Sequence, residues 1–264
     1  EGQNGNFYPE CYIIPLDGEH QSNLQDADDM LTYLTRNGVE IMVADKAFTY
    51  DGVEYPAGTA VVSMYQAKRS VANGVLYDGT VITEWPVLYS EGITAFNYTR
   101  GFDMITCAEP AAYETIAAAC SVSDEWDVSS AFTGVTGEKV ILSNASEDST
   151  SAVNALLQAG KTVSMIISGE DKGSFLCDYA DWQSVSKTYL LTGKGVTAAE
   201  APLSLTITKA PVIYISGKPA DNESGFVKTT LVSGAYQYNY DRQTIEMLGF
   251  TVTDNAAEAD LIIG

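Results

Sequence analysis

The sequence predicts an α/β protein in which repeated β-α-β units surround a mostly parallel sheet, in a layered arrangement like that of the Rossmann and flavodoxin folds. Three observations predict this class. Three segments share the order strand, helix, glycine and strand, their strands are short apolar runs, and a glycine follows each helix. Because right-handed crossovers join parallel strands, such units place their helices on the faces of one sheet.

The first copy begins with an apolar strand over residues 11–16. It continues into a helix with apolar residues at three- and four-residue steps between residues 24 and 34. Gly38 ends this helix, because glycine takes the left-handed conformation at low cost. A strand over residues 39–43 completes the unit. The Asp51-Gly52 pair then predicts a hairpin, and a further strand follows it.

The second and third copies repeat this order in residues 139–167 and 211–263, and their helices end at Gly160 and Gly249. A further strand and helix follow the first copy, and a similar pair follows the second. We therefore expect three regions. They are a first unit with a hairpin and an irregular Tyr- and Trp-rich segment, a second β-α-β repeat, and the start of a third, apparently truncated unit, over residues 1–136, 137–209 and 210–264.

The charge balance excludes two classes of partner. The chain has 264 residues, of which 14 are Lys or Arg and 35 are Asp or Glu, and its net charge is −21. This negative charge repels phosphate backbones and anionic lipids, so we expect no nucleic-acid partner. None of its apolar runs approaches the ~20 residues that cross a bilayer, so we expect no membrane insertion.

The chain has one histidine, His20, which restricts the sites that it can build. A His-rich zinc site or a Ser-His-Asp triad would depend on His20 alone, and its polar neighbours predict a solvated loop. The cysteines form no Cys-x-x-Cys pair and have apolar neighbours, which predicts small core residues. They are Cys11, Cys107, Cys120 and Cys177. We therefore expect no catalytic residue, no metal ligand and no cofactor in this chain.

Two groups of polar residues are candidates for a ligand site. The first follows the initial strand of the third unit, where ligands of open α/β sheets bind. Its members are Asp221, Asn222, Glu223 and Ser224. The second group is Tyr236 and Tyr238, whose rings could meet a sugar or a peptide. On a strand these rings would share one face, and on a helix they would be spread around the axis.

Other motifs favour structural roles. Asp26, Asp28 and Asp29 lie early in the first predicted helix, where carboxylates interact favourably with the helix dipole. The chain has no Gly-x-Gly-x-x-Gly, no Walker-type Gly-Lys-Ser/Thr and no Gly-x-Ser-x-Gly sequence. Nucleotide binding and α/β-hydrolase chemistry are therefore not expected.

The first ~70 residues carry a run of motifs that resembles a known family. The motifs are Tyr12-Ile-Ile-Pro15, Leu34-Thr-Arg-Asn-Gly38-Val-Glu-Ile41, Tyr55-Pro-Ala-Gly58, Val61-Val-Ser-Met64 and Gln66-Ala-Lys-Arg69. Together they resemble the segment that follows the catalytic domain in bacterial zinc carboxypeptidases of the carboxypeptidase A and T type. The remainder is loosely similar to the class I glutamine-amidotransferase-like region found further along such proteins.

Departures from the family determine what the resemblance implies. The family's catalytic domain binds zinc through a His-x-x-Glu pair and a later His, whereas His20-Gln-Ser-Asn23 lacks the Glu and no second His exists. Amidotransferases place a nucleophilic Cys on a strand-to-helix elbow with a His downstream, and no His follows Cys107, Cys120 or Cys177. The resemblance therefore implies a non-catalytic accessory region of a secreted or cell-surface protein, with zinc only in a separate catalytic domain of the same polypeptide.

Two alternatives remain open at this stage. The chain could be a solute- or glycan-binding module that uses the loop at Asp221 and the tyrosines, with a peptide or a cell-wall glycan as its ligand. It could also be an enzyme that uses carboxylates alone, although 35 acidic residues make coincidental pairs expected.

Overall fold

The computed structural model describes residues 8–79, 95–216 and 234–263, and in the last range it describes side chains from residue 240 onward. The chain forms two compact units. Unit 1 comprises Glu1–Val135 with Leu190–Thr192, and unit 2 comprises Thr136–Tyr189 with Gly193–Gly264. The predicted mixture of helices and strands is confirmed, but the prediction of a mostly parallel sheet is wrong for the first two copies.

Unit 1 contains a five-stranded sheet, a separate hairpin and four described α-helices. The strands are Cys11–Ile14 (β1), Met42–Ala44 (β2), Phe48–Tyr50 (β3), Val53–Tyr55 (β4), Ala60–Ser63 (β5), Ile105–Cys107 (β6) and Cys120–Val122 (β7). The helices are Leu24–Arg36 (α1), Arg69–Leu76 (α2), Phe96–Arg100 (α3) and Pro110–Ala117 (α4). The sheet has the order β6-β1-β5-β2-β7, and all neighbouring strands are antiparallel.

The antiparallel order arises because β5 lies between β1 and β2. Ile13 pairs with Val61 on one side of β5, and Met42 pairs with Val61 on the other. β1 and β2 therefore run in the same direction, as the crossover through α1 requires, but they are not neighbours. This is the split β-α-β arrangement of the ferredoxin-like β-α-β-β-α-β motif. The sequence pattern revealed the crossover and the extra strand, but not the insertion of that strand.

The continuous apolar run of β1 comes from two covered faces. Tyr12 and Ile14 pack beneath α1 and α2, whereas Cys11 and Ile13 face the β3-β4 hairpin and α4. All four side chains are buried. Runs of this kind are typical of parallel sheets because helices cover both of their faces. In unit 1 the same pattern occurs in an antiparallel sheet. A continuous apolar run therefore indicates that both faces of a strand are buried, but it does not indicate the direction of the neighbouring strands.

The predicted Asp51-Gly52 hairpin is confirmed. Tyr50 pairs with Val53, so the two residues between them form the whole loop. Their φ angles are 49° and 78°, both left-handed, as in the type I′ turn that Asp-Gly favours. The hairpin brings Phe48 and Tyr55 into the second buried cluster of unit 1.

Unit 2 contains a second five-stranded sheet and a smaller three-stranded sheet. The strands are Lys139–Leu142 (β8), Val163–Ile166 (β9), Phe175–Asp178 (β10), Lys194–Val196 (β11), Ser204–Ile207 (β12), Val212–Ile215 (β13), Thr251–Thr253 (β14) and Leu261–Ile263 (β15). The described α-helices are Glu147–Gln158 (α5), Tyr179–Val185 (α6) and Gly234–Met247 (α7).

The second sheet repeats the topology of the first. Its order is β11-β8-β10-β9-β12 with antiparallel neighbours, and each strand holds the position of its counterpart in unit 1. The register fixes the correspondence: Ala60 pairs with Ile14, and Phe175 pairs with Leu142. Ile13 of β1 therefore corresponds to Ile141 of β8. The internal repeat extends over two helices and five strands.

The third copy has the parallel strands that the sequence predicted. Its sheet has the order β14-β13-β15, and both pairs are parallel. Ile213 and Ile215 form the buried centre, against which Ile245 of α7 packs. A parallel sheet is thus present, but it comprises this segment only.

The same glycine cap ends the first helix of all three copies. Gly38, Gly160 and Gly249 have φ angles of 77°, 75° and 77°. In each case the next N–H donates to the carbonyl five residues earlier, with N···O distances of 3.0, 2.9 and 3.2 Å. This is the Schellman pattern, and it turns the chain back towards the sheet.

Within unit 2, one face of α5 caps the carboxyl end of α7. Three side chains donate hydrogen bonds to the carbonyl oxygens of the last residue of α7 and of the two residues that follow. The pairs are Ser151 Oγ with Met247 O (3.0 Å), Asn154 Nδ2 with Leu248 O (2.7 Å) and Gln158 Nε2 with Gly249 O (2.8 Å). These bonds satisfy acceptors that a helix end otherwise leaves free.

Candidate functional site

The predicted ligand residues are only partly within the described chain. Four of them lie outside it: Asp221, Asn222, Glu223 and Ser224. Tyr236 and Tyr238 belong to the helical backbone of α7. Positions two residues apart are separated by about 200° around a helix axis, so this backbone does not give the single row of a strand. The proposed ligand role of these residues stays a prediction.

Two of the three acidic residues of α1 have side-chain partners among the described residues. Asp26 accepts a hydrogen bond from the amide of Asn23, the N-cap residue (2.6 Å), and forms an ion pair with Arg100 (3.1 Å). Asp28 accepts a hydrogen bond from the indole of Trp126 (2.7 Å). In the described ranges, no three His, Cys, Asp or Glu side chains are grouped as a metal ion would need.

His20 is more enclosed than its polar neighbours predicted. Its Nδ1 lies 2.9 Å from Asp17 Oδ1, and its side chain is 22% exposed. The ring also packs beside Tyr55, with 5.5 Å between the centroids. Asp17 Oδ1 accepts the backbone N–H of His20 as well (3.0 Å), so the contact closes a turn between β1 and α1. The geometry gives His20 a role in fixing this turn.

The four cysteines are free thiols, and three of them are fully buried. Burial, assisted by the carboxylates of Asp181 and Asp178, raises the pKa of the Cys177 thiol to about 12. Burial and Asp45 raise the pKa of Cys120 to about 11. Since the thiolate is the nucleophile, these environments disfavour the covalent chemistry of an amidotransferase.

The Gln66 side chain, part of the family-like motif, clamps the end of β5 to the segment that precedes β2. Its Oε1 accepts the Glu40 N–H (2.8 Å), and its Nε2 donates to the carbonyls of Glu40 (3.0 Å) and Ser63 (2.8 Å). In unit 2 the register places Asp181 at the corresponding position, where it pairs with Lys161 at 2.9 Å. The same position of the repeat therefore carries a neutral clamp in unit 1, the Gln66 amide, and a charged clamp in unit 2, the ion pair of Asp181 and Lys161.

A cavity of about 370 Å³ in unit 1 is a candidate ligand site among the described residues. Nine side chains from α1, α2, α3 and the residue after α1 line it. They are Asp29, Met30, Thr32, Tyr33, Arg36, Asn37, Val75, Phe96 and Arg100. Apolar side chains with a few charged groups are typical of pockets for small molecules.

The charges in this cavity are unevenly paired. Arg100 is held by Asp26, whereas Arg36 makes no ion pair with any residue in the described ranges. Burial and the carboxylates of Asp26 and Asp28 raise the pKa of Asp29, although Arg100 and Arg36 oppose the rise. The cavity thus combines a guanidinium that has no ion-pair partner among the described residues with a carboxylate whose pKa stays raised despite the nearby arginines.

The sequence carries one signal for this cavity, in the spacing of residues along α1. Asp29, Tyr33 and Arg36 follow the i, i+4, i+7 spacing of one helix face. The chain has only four arginines, and Arg36 and Arg100 both line the cavity. Their proximity depends on the packing of α3, which the sequence did not predict.

Comparison with known proteins assigns no family. No protein-family model matches the chain, no curated protein matches it, and no solved structure matches it. Across the described ranges, the helices are too short or too polar to span a membrane.

Proposed function

We propose that this chain is a non-catalytic accessory region of a secreted or cell-surface zinc carboxypeptidase-like protein. The proposal rests on the motif run within the first ~70 residues and on what those residues do in the fold. The catalytic domain of the same polypeptide would be the partner of this region, and zinc would be bound there.

The observation that carries the proposal is that the motif residues are engaged in folding. Tyr12-Ile-Ile-Pro15 contributes to β1, and Val61-Val-Ser-Met64 contributes to its neighbour β5, the central strand of the five-stranded sheet of unit 1. Gly38 forms a helix cap, and both polar ends of the Gln66 amide bond backbone atoms. A motif whose polar groups bond the backbone specifies a fold. This use supports a scaffold or docking role over a reactive one.

The test is to isolate the natural polypeptide that contains this sequence and to measure zinc-dependent release of carboxyl-terminal residues from peptides. We expect a His-x-x-Glu zinc domain before residue 1, and activity that chelation removes. Gln66→Ala should lower the melting temperature of unit 1 and leave the zinc content of the polypeptide unchanged. The proposal fails if the natural polypeptide has no such domain. It also fails if the chain of residues 1–264 itself hydrolyses these substrates with zinc.

A second candidate is a solute- or glycan-binding module. The cavity beside α1 favours it, because its volume and its mixture of apolar and charged side chains suit a small ligand. Calorimetry of the purified chain with cell-wall fragments, sugars and short peptides tests this function. The absence of binding heat with every compound would exclude this function.

A further inference from the structure

The internal repeat allows the cavity beside α1 to be compared with the same place in unit 2. Counted from the cap glycines Gly38 and Gly160, four buried positions of the two helices coincide. In α1 they are Ala27, Met30, Leu31 and Leu34, and in α5 they are Ser149, Ala152, Val153 and Leu156. The two helices therefore present the same face to their sheets, and positions on their other faces can also be matched.

The same count matches the cavity residues of α1 with the capping residues of α5. Asp29, Thr32 and Arg36 correspond to Ser151, Asn154 and Gln158. In unit 2 this face is covered by the end of α7, and Asn154 is only 2% exposed. In unit 1 the corresponding face lines an open cavity, and both Asp29 and Arg36 are exposed.

The occupant in unit 2 shows the chemistry that this face accepts. All three side chains of α5 donate to backbone carbonyl oxygens at a chain turn. In unit 1 the donors at two of these positions are the Thr32 hydroxyl and the Arg36 guanidinium. A guanidinium binds a carboxylate more strongly than a neutral carbonyl, because the hydrogen bonds are charge-assisted. The third position, Asp29, offers an acceptor for an ammonium group.

We propose that the cavity beside α1 binds a short peptide with free termini, its carboxylate at Arg36 and its ammonium group at Asp29. Seven residues of helix separate these two positions by about 10 Å at 1.5 Å per residue. An extended tripeptide spans about 10 Å at 3.3–3.6 Å per residue. Met30, Val75 and Phe96 supply the apolar wall for its side chains. This inference rests on the binding-module function and is independent of a peptidase partner.

The experiment titrates the purified chain with Ala-Ala-Ala and follows backbone amide NMR signals. We expect saturable shifts in the cavity residues of α1 and α3. Amidation of the peptide carboxyl group should weaken binding about tenfold or more, because the Arg36 contact is lost. Acetylation of its amino group should weaken binding about threefold, because solvent screens an ammonium contact with the exposed Asp29.

Two substitutions in the protein test the role of Arg36, one at Arg36 itself and one at a control lysine. Arg36→Gln introduces the residue that unit 2 has at this position, and we expect about a tenfold weaker complex. Lys187→Gln removes the same charge from an exposed position in unit 2, and it should leave binding unchanged. The proposal is overturned if no peptide gives saturable shifts, if the amidated peptide binds as well as the free acid, or if Arg36→Gln has no effect. Binding of a glycan without binding of peptides would overturn this inference and leave the binding-module function standing.

Discussion

Units 1 and 2 share a sheet order and differ in what covers the face opposite their first helices. In unit 1 the β3-β4 hairpin and α4 build a second core there, which contains the buried Ile13 and Val61. In unit 2 the corresponding core has three buried members, Ile141, Ile166 and Leu176. The hairpin belongs to the connection at residues 45–59, and its counterpart at residues 167–174 is short. The common motif therefore fixes the sheet order, whereas the inserted connection enlarges the core on this face in unit 1.

The largest expected effect comes from removing the same side chain in both units. Ile13→Ala should destabilise unit 1 by about 4 kcal/mol, because its cavity lies between a sheet and a covering layer that cannot collapse. Ile141→Ala should cost unit 2 about 2 kcal/mol. Its cluster is smaller, so the surrounding side chains can relax into the cavity that the substitution leaves. Hydrogen exchange measured separately for peptides of each unit checks both values, as the units need not unfold together. Equal losses would contradict the larger stabilisation that we expect from the hairpin and α4.

The two clamps should differ in size and in pH dependence. Gln66→Ala removes three hydrogen bonds and should cost unit 1 about 2 kcal/mol. Asp181→Asn should cost unit 2 less, since Lys161 is half exposed. Hydrogen bonding to Asp181 raises the pKa of Lys161, so its stabilisation is present below the ordinary value of 10.5 and is lost as pH rises through the raised one.

Exchange rates in the two units across this alkaline range test the contrast. The loss of protection in unit 2 should contain a step that Lys161→Met removes, whereas Gln66 should give unit 1 no such step. If the step persists in Lys161→Met, another group causes the alkaline loss of protection. That result would contradict the stabilising role of the Asp181–Lys161 pair.

The cap glycines give a smaller, graded effect. Alanine in the left-handed conformation costs about 1 kcal/mol, and we expect this loss for Gly38→Ala and Gly160→Ala. At Gly160 an added Cβ meets nothing within 4 Å, whereas at Gly249 it lies 3.3 Å from the Cβ of Asn154. Gly249→Ala should therefore cost about 1.5 kcal/mol, because the contact with α5 must open slightly. Urea unfolding of the three variants checks the order, and a smaller loss at Gly249 would contradict it.

The sequence predicted local elements better than their arrangement. The helix of residues 24–34 and the turn at Asp51-Gly52 were predictable, because periodicity and turn chemistry act within a few residues. The insertion of β5 between β1 and β2 was not, since the apolar run of β1 records its burial but not its neighbours. The cavity was missed for the same reason. Arg36 and Arg100 line the same cavity through the packing of distant segments, and no local pattern encodes that packing.

The smallest expected effect concerns Asp29, where unit 2 has the uncharged Ser151. The folded state raises the pKa of Asp29, so its ionisation destabilises unit 1 once the pH exceeds the ordinary value of 3.8. Asp29→Asn should therefore stabilise unit 1 at pH 7, by less than about 1 kcal/mol because solvent screens this exposed group. The gain should vanish below pH 3.8, where the carboxyl group is protonated in both states.

Thermal unfolding at both pH values checks this sign, with Asp124→Asn as the matched removal of an exposed carboxylate outside the cavity. A lower melting temperature for Asp29→Asn at pH 7 would show that Arg36 and Arg100 already neutralise Asp29. In that case the cavity would hold no unbalanced carboxylate for a peptide ammonium group. A higher melting temperature combined with weaker peptide binding would instead identify Asp29 as a group whose charge lowers stability and serves a ligand, as is common at binding sites.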